Sequence, residues 1–352
     1  MKTKYRYIEE LNYFNAVACL LVILIHVLAI GVDGFDPLSW QQFAAYLPWR
    51  LAAFVVPAFL FSGAVKMAVQ FVCSDEAVPY GRYIAERCRT ILLPYIVFCV
   101  VYFIVLSGFH YMDGSLKTLG IGLIAGNLSG QFYYVVIVMQ FYLLMPLWRK
   151  ILFSVPWYLA LACAAFLTYA AGKGAAALKV FHISFPYLDR VFLLYLFFWI
   201  LGLYAGKYYD RLYESLYRNR MAVWASGIFV AVSAVVVWLQ LSYREFIFEM
   251  DYFKLIVDSL SILILLTACI ALGKRKSPLT GLLNRINRAS YFVYLSHCLF
   301  ITLVTFRLQE AGVWRIDLLL AVRAAVGYTV PFLLYCLYDR CRARILPFDG
   351  LI

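Results

Sequence analysis

Charge is what this chain has least of. Only 14% of its 352 residues are Asp, Glu, Lys or Arg, while 65% are hydrophobic. No stretch is polar enough to fold as a separate soluble domain, so a single domain over residues 1–352 is expected. Nothing repeats at the period of about 20 to 50 residues that marks a solenoid. Nine cysteines are present without a CxxC or Cys/His metal spacing, so neither a metal nor a structural disulfide is expected. Cys19, Cys99, Cys163, Cys269, Cys298 and Cys336 lie in apolar runs, where a thiol acts as a small hydrophobe. Cys73, Cys88 and Cys341 lie in the basic connections. The 31 Lys and Arg outnumber 19 acids, but they are split among six connections, which excludes a nucleic-acid groove.

What fills the chain instead is long apolar runs. Ten candidate spans are read: Phe14–Gly31, Leu47–Val72, Thr90–Phe109, Phe132–Phe153, Trp157–Gly172, Val191–Tyr208, Met221–Leu241, Phe253–Leu272, Tyr291–Leu308 and Leu318–Tyr338. Most have the roughly 17 to 25 residues that a bilayer core requires. Backbone groups cannot stay unpaired in lipid, so all ten are expected as helices of an all-α, polytopic membrane protein. Every second connection is basic: Lys2, Lys4 and Arg6; Arg82, Arg87 and Arg89; Arg149 and Lys150; Lys207, Arg211, Arg218 and Arg220; Lys274 to Arg288; Arg340, Arg342 and Arg344. By the positive-inside rule this predicts both termini in the cytoplasm of a multi-pass plasma-membrane protein, with lipid headgroups as partners. The first span lacks a small-residue cleavage site and is expected to stay as an anchor. A glycine-rich outer connection, His110 to Gln131, holds an apolar segment Leu116–Ala125 too short to span, expected to lie in the interface or re-enter. His182, Asp189, Arg190, Arg244, Glu245, Glu249 and Asp251 supply an outer polar rim.

Ionisable and amide side chains inside the spans carry the functional signal. His26 stands in the outer half of the first run, and Asn15 is eleven residues before it. Eleven residues are three helical turns and about 16 Å of rise, so the two share a face. His297 is a second intramembrane histidine. Arg323 is expected to snorkel or to meet an acid, Asp258 to pair with Lys254 one turn earlier, and Gln140 to make a helix-packing hydrogen bond. Arg82, Arg87 and Arg89 gather at a membrane mouth, where guanidinium forks suit the phosphates of a donor such as coenzyme A, or simply the headgroups.

In order along the chain, Asn15–His26, Phe54–Gly63, Tyr83–Tyr95, Gln131–Pro146 and Ala289–His297 resemble the successive motifs of the acyltransferase 3 family of membrane O-acyltransferases. The spacing through Tyr133–Gln140 and a turn at Leu201–Gly206 are most similar to its intercellular-adhesion, poly-N-acetylglucosamine type. The resemblance implies transfer of an acetyl or succinyl group from acyl-coenzyme A, as co-substrate, to a hydroxyl of an exported polysaccharide, with a glycan synthase complex as a further candidate partner. It implies His26 as general base, His297 as a second site residue, Arg82, Arg87 and Arg89, with Asn15, at the donor site, and Tyr133, Tyr134 and Gln131 toward the acceptor. The family has an arginine where this chain has Asn15, so that guanidinium's role is lost or moved. The alternative is an exporter or flippase for a polysaccharide or lipid-linked sugar, using the same cavity without covalent chemistry.

Overall fold

The computed structural model describes residues 7–72, 79–180, 186–243, 251–275 and 277–345. Lys2, Lys4, Arg6, Cys73, His182, Arg244, Glu245, Glu249 and Lys276 lie outside the described residues.

Every regular element among these residues is helical. Eight helical stretches are long and apolar enough to cross a membrane, and two bent helix pairs bring the count to ten when each is one span. Helix α1 (Glu9–Gly34) opens with Glu9 and Glu10 in its first turn, where carboxylates favour the helix dipole. It buries Leu11, Phe14, Ala16, Ala18, Cys19, Val22, Ile23 and Val27, because neighbours surround it. The second span is α2 (Trp40–Ala52) continued by α3 (Val55–Met67). The Ser39 hydroxyl caps α2 by accepting from the Gln42 N–H at 3.1 Å. The third span joins α4 (Tyr80–Arg87) through a π-helical turn, Cys88–Leu92, to α5 (Leu93–Gly108).

Leu116–Ala125 forms a ten-residue helix, α6, capped by Ser115. It ends at Gly126 with φ +65°, where a Cβ would press to 2.9 Å from the Phe132 backbone. That tight exit turns the chain back toward the bundle.

One expected span is not a single rod. Phe132–Phe153 splits into α7 (Tyr133–Leu143) and α8 (Met145–Ser154), bent by 60°. Pro146 sits in the first turn of α8, where the missing N–H cannot extend α7. After α9 (Trp157–Val180), the expected span Val191–Tyr208 contains α10 (Leu196–Lys207), and α11 (Tyr209–Arg218) then leaves at 94°. Tyr209 and Leu216 are buried against the core while Asp210, Arg211, Glu214 and Arg218 leave the opposite face polar, so α11 cannot continue into hydrocarbon. The expected loop after the sixth span is therefore a helix.

The bundle closes with α12 (Arg220–Tyr243), α13 (Asp251–Lys274), α14 (Pro278–Glu310) and α15 (Ile316–Ile345). Leu201–Gly206 is not a turn: it lies inside α10, and its Gly202 and Gly206 press against α3. A Cβ on Gly202 would stand 2.4 Å from the Phe61 carbonyl oxygen, and one on Gly206 would stand 2.7 Å from the Ala68 Cβ. Without a hydrophobic drive between helices in lipid, such backbone approach is what van der Waals packing rewards.

Candidate active site

Helices α1 and α14 pack side by side at the centre and bring His26 and His297 together. Their ring centroids are 5.1 Å apart, with the planes tilted by 55°. His297 is fully buried, and its Nδ1 lies 3.0 Å from the Val293 carbonyl oxygen one turn earlier. A carbonyl only accepts, so Nδ1 carries the proton and a neutral ring leaves Nε2 bare. That nitrogen faces the Cys298 Sγ at 3.3 Å, and the thiol donates to it. The ring nitrogens of His26 and His297 and the sulfur of Cys298 all lie within 4.8 Å of one another.

Arg323 on α15 holds the α1 side of this cluster. Its guanidinium donates to the His26 backbone carbonyl, to the Val27 carbonyl at 3.2 Å and to the Thr305 hydroxyl at 3.1 Å. Among the described residues it meets no acid, and its guanidinium turns inward instead of snorkelling. Carbonyls with a spare lone pair satisfy it inside the bundle.

The loop after α6 covers the cluster from one side. Gly130 is close enough that a Cβ there would touch His26 Cε1 at 3.6 Å. The Gln131 amide donates to the Tyr102 hydroxyl at 2.9 Å and to the Leu295 carbonyl at 3.3 Å, and its oxygen accepts from Ser129 at 2.6 Å. The Tyr294 hydroxyl donates to the Gln131 carbonyl. Gln131 is thus buried and spends both ends of its amide fixing this loop over the two rings.

One turn along α14, toward its start, a cavity of about 220 Å³ opens. Asn15, Ser62, Lys66, Arg87, Tyr134 and Tyr294 are among its walls. Among the described residues, no carboxylate lines it. The Arg87 guanidinium lies over the rings of Tyr83 and Tyr142, at 5.2 and 5.5 Å, with Glu86 at 3.8 Å on the exposed side. Phe59, Tyr134 and Tyr294, three walls of this cavity, pack mutually with centroids 5.7 to 6.0 Å apart, and the Tyr294 ring lies 6.2 Å from that of His297.

The expected donor residues therefore separate. Asn15 and Arg87 line the cavity, whereas Arg82 and Arg89 are exposed beside it. Tyr133 and Tyr134 also part, because adjacent helical residues point about 100° apart. Tyr133 faces Arg190, whose Cζ is 5.9 Å from the ring, while Tyr134 enters the cavity instead of standing beside it toward the outer rim. Gln140 is paired as expected, donating to the Arg190 carbonyl at 2.7 Å and accepting from the Phe192 N–H at 3.2 Å. Asp258 makes no ion pair with Lys254 among the described residues; it is buried facing a small cavity with Arg50, Ser233 and Ser261.

Two site residues escaped the sequence reading. Lys66 lies inside the expected span Leu47–Val72, and an intramembrane cation is itself a functional signal. Cys298 was absorbed into the rule that buried thiols are inert, although it directly follows His297.

A family profile described as an acyltransferase domain matches residues 8–338. A Bacillus subtilis protein, YfiQ, whose name describes a membrane-bound acyltransferase, is 24% identical over 308 residues, covering 83% of this chain and 81% of its own length. A Staphylococcus aureus protein named for export of poly-beta-1,6-N-acetyl-D-glucosamine is also 24% identical, over 302 residues, covering 82% of this chain and 81% of its own. No solved structure matches the chain.

Proposed function

The chain belongs to this acyltransferase family, and from that premise we propose that it moves an acetyl or succinyl group from acyl-coenzyme A to a hydroxyl of an exported polysaccharide at the plasma membrane. The observation that carries the reading is the route along α14. It runs from a cavity with two cations and no carboxylate among its described walls to a pair of imidazoles one to two turns further on.

Phosphates and the thioester arm enter at the cavity. Lys66 and Arg87 meet anionic oxygens there, and Lys66 supplies a charge near the place that Asn15 leaves neutral. Arg82 and Arg89, exposed beside the mouth, steer phosphates toward it. His26 accepts the acceptor's proton as the hydroxyl attacks the acyl carbonyl, a role worth about 10²- to 10⁴-fold in rate. Tyr133, beside Arg190, offers a ring to a sugar at the other end.

Transfer of labelled acyl from acyl-coenzyme A to poly-N-acetylglucosamine by the purified protein tests the reading. Lys66→Ala and Arg87→Ala are expected to raise KM for the donor about tenfold or more, with a smaller effect on kcat. Wild-type protein that binds donor but never transfers would favour the second reading, export without covalent chemistry. The neutral Asn15 and the relative named for export support that reading.

A further inference from the structure

Resting on that acyl-transfer reading, we propose that Cys298 carries the acyl group as a thioester between donor and acceptor. Its sulfur is 3.3 Å from the bare nitrogen of His297, whose other nitrogen is tied to the Val293 carbonyl. A thiol hydrogen-bonded to an oriented imidazole is the arrangement that makes cysteine a nucleophile. Cys298 also stands four residues after Tyr294, on the same helical face and about 6 Å farther along α14. Tyr294 is a wall of the cationic cavity, so the thiol lies one turn beyond the place where a donor's acyl end arrives. A ring nitrogen of His26 is within 4.8 Å of the sulfur, in range to act on a hydroxyl attacking a carbonyl bound there.

The chemistry divides into two balanced halves. In the first, His297 Nε2 takes the thiol proton as Sγ attacks the carbonyl carbon of the acyl thioester. The donor's C–S bond breaks, and the departing thiolate recovers that proton from Nε2. One thioester replaces another, so little free energy is at stake. In the second, the acceptor hydroxyl attacks the Cys298-bound carbonyl and His26 takes its proton. The Cys298 C–S bond breaks, the ester leaves, and the proton returns to Sγ across imidazoles whose centroids are 5.1 Å apart. No other reactant is consumed.

This division answers a packing problem. Phe59, Tyr134 and Tyr294 crowd the cavity side of the histidines, and the Gly130–Gln131 loop crowds His26 from the other, so the space beside the sulfur suits one reactant at a time. Donor and acceptor therefore need not be present at the reacting carbon together.

The test uses purified full-length protein in lipid nanodiscs with acetyl-coenzyme A and no glycan. Mass spectrometry should find an acetyl group on the peptide containing Cys298, removed by neutral hydroxylamine. Label should exchange between acetyl-coenzyme A and free coenzyme A. His26→Ala should still load and exchange but fail to discharge to glycan. Cys298→Ala should neither load nor exchange and should lose transfer by about 100-fold or more. Cys298→Ser, nearly isosteric, controls for folding and should melt as wild type does while losing exchange. The relay is overturned if Cys298→Ala transfers within about threefold of wild type while His26→Ala does not. It is also overturned if the protein purifies with stoichiometric zinc that Cys298→Ser releases, because the same three groups would then be a metal site. A wild type that neither transfers nor exchanges would instead remove the acyl-transfer reading itself.

Discussion

Removing the two imidazoles singly and together gives the most searching test of the site. His26→Ala deletes a ring that touches the Gly130 loop and stands 5.1 Å from His297. His297→Ala deletes a buried ring together with its bonds to the Val293 carbonyl and the Cys298 thiol. Losing the first of those bonds together with the packing of a fully buried ring costs about 2 to 5 kcal/mol, so His297→Ala should melt below His26→Ala and rates are compared at a temperature where both stay folded. Each should slow transfer by about 10²- to 10⁴-fold, or roughly 3 to 5 kcal/mol of barrier. The informative number is the double mutant. Rings that serve successive steps on one acyl group do not multiply their losses, so the double variant should fall within about tenfold of the worse single. The assay is single-turnover transfer from acyl-coenzyme A in nanodiscs, with melting temperatures recorded beside it. A double mutant whose loss equals the product of the singles would show two independent contributions and refute the coupled pair. So would a His26→Ala variant of normal rate.

Two further predictions concern the scaffold. Gly202→Val should lower thermal stability in detergent by about 1 to 3 kcal/mol, since the added Cβ would meet the Phe61 carbonyl oxygen at 2.4 Å; an unchanged melting temperature would contradict the close α3–α10 crossing. Cysteine labelling should find Asp36 and Gly114 accessible from outside and Arg218 from the cytoplasm, and Arg218 labelled from outside would overturn the orientation.

Helix positions were legible because lipid permits so few solutions: an apolar run of sufficient length must be a helix wherever it lies. The bends were not. Pro146 was visible, but a 60° break and a polar face turning α11 aside by 94° depend on what surrounds each segment. His26 and His297 stood out because hydrocarbon makes every imidazole conspicuous. Their meeting depended on α1 and α14 being neighbours across 271 residues of sequence, as the Cys19 to Ser290 contact records, and no local period encodes that. Lys66 and Cys298 were missed because both lay inside apolar runs: the lysine within Leu47–Val72 was passed over, and the cysteine read as filler. Arg323 was noticed, but its partners are backbone carbonyls, which leave no trace in side-chain patterns.

Helix α14 has 33 residues and is therefore about 50 Å long, against a hydrocarbon slab of roughly 30 Å. Its surplus is at the start, where Asn284, Arg285, Asn287 and Arg288 precede the apolar stretch. Those side chains stand within about two turns of Ser290 and Tyr291, two walls of the cavity. His297 is seven residues beyond Ser290, about 10 Å farther along the helix axis. On the acyl-transfer proposal, a reagent with a polyanionic head and a slender neutral arm can thus keep its phosphates against Lys66 and Arg87 while its reactive end passes on toward the imidazoles. Only the neutral arm then enters the region where a buried charge would cost several kcal/mol. On that proposal, the same axial offset makes the length of the arm, rather than affinity for the head, the feature that selects donors.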